Sequence, residues 1–179
     1  MTSTGERPPH AAPAPPGLAR LNARPTAAAA AELRAVCASH AWVAALLARR
    51  PYPSAAHLLA TSDAATAALT DADLAQAVAG HPPIGRPAAG DPTSAREQHG
   101  MTEAEADLKR QMVELNRAYQ STFGQVFLIC ATGLSGEQLR DALRDRLGNP
   151  PERERAVVRA ELAKINRLRL TRLVEEGAA

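Results

Sequence analysis

Apolar residues recur along most of the chain at three- and four-residue spacing, the period of an α-helix that buries one face. Trp42, Leu46 and Leu47 keep that spacing after Ser39, a good N-cap, and the run ends at Arg49-Arg50-Pro51. Trp42 reads as core. Before it, a short apolar entry from Leu18 to Asn22 leads to Pro25 or Thr26, which opens an alanine-rich helix to Val36. Ser54 starts the next helix with Leu58 and Leu59 inward, and Thr70 with Asp73 starts another through Val78 into His81. Thr102-x-x-Glu105 predicts a capping box for a long helix whose Leu108, Met112, Leu115 and Tyr119 form one buried stripe. Ser135-x-x-Gln138 opens a further helix to Leu147, and Asn149-Pro150-Pro151 caps the last, which runs to about Glu176.

Two stretches break this rhythm. Val126 to Ala131 is apolar at every position and closed by Thr132-Gly133, so it is expected to be buried on every side. A strand satisfies that pattern, but its helical neighbours favour a buried helix or turn at the centre of the domain. The second stretch, Gly80 to Gly100, joins a proline-rich loop to ionisable side chains. Pro82 and Pro83 fix their own φ and push the preceding residues toward extended backbone, which pins His81 at the end of the helix before it. A helix restarts after Pro92.

Composition agrees with the pattern. Alanine, leucine and arginine dominate, and β-branched and aromatic residues are few. The expected fold is all-α, a single compact multi-helix domain of about seven to nine helices with no sheet, over residues 18–176. Residues 1–17, rich in proline and alanine, read as a disordered tail. The 21 basic and 19 acidic residues nearly cancel, and aromatics make up only 3% of the chain, so neither a nucleic-acid field nor a base-stacking surface is expected. No apolar run is long enough for a membrane helix. Cys37 and Cys130 sit in apolar surroundings and form no C-x-x-C motif, which suits reduced, buried thiols. With no apolar core in the first seventeen residues and no peroxisomal signal in Gly177-Ala178-Ala179, the expected location is cytoplasmic.

The candidate chemistry lies in the central stretch and on the last helix, and each piece has a plain structural reading beside the functional one. His81 has an imidazole suited to moving a proton near neutrality, or it is a turn residue before proline. Ser94 and Glu97 share a helical face, or they form an S-x-x-E capping box. Arg96 is expected to point to solvent. On the last helix Val158, Leu162 and Ile165 are followed at the same spacing by Arg169, so an arginine occupies a core-side position and requires an anion. That anion is an internal Asp or Glu, or a substrate carboxylate gripped in a bidentate pair. Arg167 and Arg172 read as solvated face. His81, Glu97 and His99 compose a possible metal ligand set, but the Gly-Pro loop between them gives no fixed ligand spacing, and no metal site is assigned.

Four blocks in order carry a family resemblance: His81-Pro82-x-Ile84-Gly85; Ser94-x-x-Glu97-Gln98-x-Gly100; Asn116-x-x-Tyr119-x-x-x-Phe123-Gly124-x-x-Phe127-x-x-Cys130-Ala131-x-Gly133; and Lys164-Ile165 with Arg169-Leu170. Together, in register from about Leu21 to Leu173, the chain resembles the OHCU decarboxylase family, where OHCU is 2-oxo-4-hydroxy-4-carboxy-5-ureidoimidazoline. The alanine run from Ala27 to Ala31 departs from the larger apolar residues of relatives. The resemblance implies an all-helical enzyme of urate degradation that forms (S)-allantoin with no cofactor, commonly as a homodimer, beside urate oxidase and hydroxyisourate hydrolase. It implies His81 as the catalytic acid/base, with Glu97 beside it. Pro82, Ser94, Ala95, Arg96, Glu97, Gln98, Phe127, Leu128, Ile129, Cys130, Ala131 and Arg169 are then the expected lining of the substrate pocket. The competing reading is a non-catalytic helical module that binds an acidic partner through its arginine-rich last helix.

Overall fold

A computed structural model describes residues 15–175 apart from 87, 88, 91 and 103. The sequence-based tail falls outside these residues except at its end, where the first helix already includes Pro16 and Gly17. Among the described residues there are ten helices and no strand: α1 (Pro16–Ala23), α2 (Thr26–Val36), α3 (His40–Leu47), α4 (Ala55–Ala67), α5 (Asp71–Ala79), α6 (Pro92–Glu97), α7 (His99–Thr102), α8 (Ala106–Phe123), α9 (Gly136–Leu147) and α10 (Pro151–Glu175). The all-α expectation holds, and the helix expected to restart after Pro92 is α6; the extra helices are α1, where only an apolar entry was expected, and the short α7. No described helix is long and apolar enough to cross a membrane.

Local chemistry explains most of the helix starts. Ser39, Ser54, Thr70 and Ser135 each accept a backbone N–H of the first turn, and Thr70–Asp73 and Ser135–Gln138 complete reciprocal capping boxes. The expected box at Thr102 does not form. Thr102 is the last residue of α7, and Glu105 takes the N-cap position of α8 with no side-chain cap. The chain makes a separate turn here because Gly100 lies against another segment: a Cβ on it would meet the Leu134 carbonyl oxygen at 2.1 Å, so only glycine permits the approach.

The helices bury two cores. α10 packs along α4, α1 and α2, and Leu18, Leu33, Trp42, Leu46, Leu58, Val158 and Leu162 meet in the first core. α8 pairs with α9, and Met112, Tyr119, Phe127, Leu139 and Leu143 form the second, with Ile84 and Met101. The apolar segment between the cores is neither helix nor strand. It is an extended ribbon, and its side chains alternate: Val126, Leu128 and Cys130 enter the first core, whereas Phe127, Ile129 and Ala131 enter the second. Burial on both faces was legible from its composition; the helix or turn favoured for it is corrected. A helix would scatter six side chains around its axis, whereas an extended chain divides them between two opposite faces.

α10 also ties the bundle together through its arginines. Arg159 donates to the carbonyls of Thr66 (3.1 Å) and Leu69 (2.7 Å) at the end of α4, where a cation offsets the negative end of the helix. Arg167 pairs with Asp63 at 2.9 Å.

Candidate active site

His81 is placed by the end of α5. Its N–H donates to the Val78 carbonyl (3.0 Å) in the turn that closes the helix, and the two prolines then carry the chain away extended. The loop beyond is pinned from two sides. The Gly85 N–H donates to Oε1 of Gln98 (2.8 Å), and Nδ2 of Asn116 on α8 donates to the Ile84 carbonyl (3.0 Å). Gly85 has φ +87°, a left-handed conformation that glycine adopts without the Cβ penalty.

These elements enclose a narrow cleft with about 20 Å³ of space for a water-sized sphere. His81, Pro82 and Ile84 form one wall, Ser94, Glu97 and Gln98 of the α6 region a second, and ribbon residues Phe127 to Thr132 a third. Ile165, Leu168 and Arg169 of α10 complete it. Ser94 is buried inside α6 rather than capping it, since the helix has already begun at Pro92, so the S-x-x-E box is not made. Gln98 spends its carbonyl on Gly85, which leaves its NH2 for the cleft.

Arg169 finds an internal partner. Its Nε and Nη2 bond to the two carboxylate oxygens of Glu97 at 2.9 and 2.8 Å, and Nη1 donates to the Val36 carbonyl at 3.1 Å. Arg172 is not merely solvated face, since its Nη1 lies 3.7 Å from the same carboxylate. Among the described residues no side chain hydrogen-bonds to the His81 ring, which is 9% exposed. Burial, with the Arg169 charge adding to it and Glu97 opposing it, lowers the His81 pKa from 6.5 to about 4. The imidazole is therefore neutral at neutral pH, available as a proton acceptor.

The expected lining residues Pro82, Ser94, Glu97, Gln98, Phe127, Leu128, Ile129, Cys130, Ala131 and Arg169 come together here. Ala95 and Arg96 do not: both are exposed on the far side of α6, because a short helix with Ser94 and Glu97 inward must turn its intervening residues outward. His99 is also exposed, and no group of three potential metal ligands gathers among the described residues. Both cysteines are free; Cys37 is buried, and Cys130 is only half-buried at the cleft.

A sequence profile of OHCU decarboxylases matches residues 22–171. The chain belongs to the OHCU decarboxylase family. Over 78 residues it is 37% identical to a 2-oxo-4-hydroxy-4-carboxy-5-ureidoimidazoline decarboxylase of Amia calva, covering 44% of this chain and 45% of that protein. Over 73 residues it is 33% identical to the uric acid degradation bifunctional protein TTL of Arabidopsis thaliana, covering 41% of this chain and 22% of that one. The aligned stretches thus span less than half the length of either curated relative. A crystal structure of OHCU decarboxylase in the presence of (S)-allantoin superposes with TM-score 0.72 at 23% identity, over 81% of this chain and 98% of the other. One of (S)-allantoin synthase gives 0.68 at 18% identity, over 88% and 54%. These two similarities establish the fold of this family member.

Four lining residues were not expected from the sequence: Ile84, Thr132, Ile165 and Leu168. Ile84 and Ile165 carried a signal, since one follows the paired prolines and the other precedes Arg169 by one helical turn. Their apolar character made core the simpler assignment. Thr132 and Leu168 carried none.

Proposed function

We propose that this protein decarboxylates 2-oxo-4-hydroxy-4-carboxy-5-ureidoimidazoline to (S)-allantoin and CO2, as a cytoplasmic homodimer acting after urate oxidase and hydroxyisourate hydrolase. The observation that carries the reading is the convergence of a neutral, buried His81 with Glu97, Arg169 and the apolar ribbon on one cleft, in a member of this family.

The substrate supplies its own electron sink. Its carboxylate is on a carbon next to a ring C=N, so the electron pair released with CO2 moves onto the imine nitrogen, which takes up a proton. No cofactor is needed for that step. The enol-like intermediate then loses the 4-hydroxyl proton and gains one at C5. Neutral His81 accepts the hydroxyl proton, and delivery of a proton to one face of C5 gives one enantiomer. Glu97, held by Arg169, presents its carboxylate to the 4-hydroxyl rather than pairing with His81. All three nitrogens of the Arg169 guanidinium are engaged, so Arg169 acts on the substrate carboxylate through its charge while it fixes Glu97. Ser94 and Gln98 bind the ureido edge, and the backbone N–H groups of Ile129 and Ala131 hold the ring carbonyl or ureido group in a pocket where fixed dipoles act strongly. Arg159, Arg167, Arg169 and Arg172 of α10 are engaged within the chain by the end of α4, Asp63 and Glu97, which weighs against an acidic macromolecular partner on that part of the helix.

The test generates the unstable substrate in place from urate with urate oxidase and hydroxyisourate hydrolase, then follows allantoin by circular dichroism. The expected result is a rapid rise of the (S) signal, reduced roughly 10²- to 10⁴-fold in the folded H81N variant. No acceleration over the blank by well-folded protein overturns the activity, and full stereoselective turnover by H81N overturns the role of His81.

A further inference from the structure

Among the described residues the ribbon has no neighbouring strand, so each of its backbone polar groups must find another partner or face the cleft. An extended chain points successive amides to opposite edges. On the even-numbered edge the partners are side chains governed by α10. The Leu128 carbonyl accepts from Nη1 of Arg146 (2.8 Å), itself held by Glu154, and the Cys130 N–H donates to Oε2 of Glu161 (2.8 Å). Glu154 and Glu161 are seven residues apart, two helical turns, and so lie on one face of α10. On the odd-numbered edge the N–H groups of Ile129 and Ala131 have no protein acceptor among the described residues, and both residues line the cleft.

Glu161 is an unusual residue for its place. It follows Val158 by three positions and precedes Ile165 by four, next to the core stripe, and its side chain is only 13% exposed. Apart from the Cys130 amide, its contact is Lys164, 2.6 Å from Oε1 and largely in solvent. We infer that Glu161 is a positioning residue of the active site: by taking the Cys130 N–H, its carboxylate sets the rotation of the ribbon and aims the Ile129 and Ala131 amides at the substrate. This inference rests on the decarboxylase reading. Without the acceptor, the ribbon is free to rotate about its long axis to find another partner for that amide, and the two opposite amides leave the substrate.

The test compares E161A, which removes the acceptor, with E161Q, which keeps an oxygen of the same reach without the charge, and K164A, which removes only the outer contact. KM and kcat are measured in the coupled assay, and hydrogen exchange of the Cys130 amide is followed on the same proteins. The expected result is a rise in KM of about tenfold for E161A, the scale of one lost charge-assisted hydrogen bond, with the Cys130 amide exchanging faster. E161Q and K164A stay within about threefold of wild type by the same scale, and the acid limb of the pH profile stays where His81 sets it. Should E161A fail to fold, E161Q carries the test: near-wild-type KM with a protected Cys130 amide supports the inference, and a tenfold rise overturns it. Wild-type KM in a folded E161A, or equal losses in E161A and K164A, overturns the inference alone. No turnover by the wild-type protein overturns the decarboxylase reading and this inference with it.

Discussion

Arg146–Glu154 and Arg169–Glu97 pair the same chemical groups, and each has one member on α10, yet they meet different surroundings. Glu154 is 1% exposed. Arg146 bonds it through Nε and Nη2, Tyr119 adds its hydroxyl and Asn149 its amide, while Arg146 also stacks over Phe127 at 4.6 Å and holds the Leu128 carbonyl. Every strong valence there is spent inside the protein, so this pair acts as a strut under the ribbon. Arg169 also uses Nε and Nη2, but on the two separate oxygens of Glu97, whereas Arg146 places both on one oxygen of Glu154, and Arg169–Glu97 lines a cleft, with His81 in its field and Arg172 nearby. The lesson is that ion-pair geometry alone does not assign a role. What decides it is whether the remaining lone pairs face protein or an empty cleft.

The largest expected effect breaks the strut. R146A leaves Glu154 as a buried, uncompensated charge and should cost about 3–5 kcal/mol in urea unfolding, whereas replacing both partners by apolar residues, R146M with E154L, should recover most of that loss. Equal losses from the single and double variants would mean that the charge is not what makes the site costly.

Next comes the pH dependence of the other pair's neighbour. Below pH 6.5 the unfolded chain takes up a proton on His81, which the folded protein refuses until about pH 4. Stability is therefore complete above 6.5 and falls as the pH drops across that window, by at most about 3 kcal/mol. H81N should lack this component, so the difference between the two stability profiles isolates it; superimposable profiles would show that His81 is not held neutral by the fold.

E97Q sharpens the comparison from the cleft side. It keeps the shape of the side chain and should lower kcat about 10²-fold, the low end for a positioned acid/base partner, while costing less stability than R146A. A large stability loss with kcat intact would make this pair a second strut. The smallest effect is a control remote from both pairs. T70A removes the capping box of α5 and should cost about 1 kcal/mol with little change in kcat.

Local signals survive in the sequence because they depend on residues a few positions apart. Caps at Ser39, Ser54, Thr70 and Ser135, the stripe on α8 and the proline stop before Ile84 all read correctly, and so did the burial of the ribbon on both faces. The inward position of Arg169 was legible from helical period alone, and so was its demand for an anion. Which anion was not, because Glu97 lies 72 residues away and meets Arg169 only in the folded chain. The same limit hid the conformation of the ribbon. Its composition is compatible with helix or strand, and only the presence of two separate cores, one on each face, selects the extended form. It also hid the outward turn of Ala95 and Arg96, the Glu161 contact to Cys130, and the lining roles of Thr132 and Leu168. Sequence determined the helices, the candidate acid/base and the charge that needed a partner, since these follow from backbone preference and periodicity. Tertiary structure alone decided which partner each charge met and which backbone edge was left facing the cleft, since those depend on contacts between segments far apart along the chain.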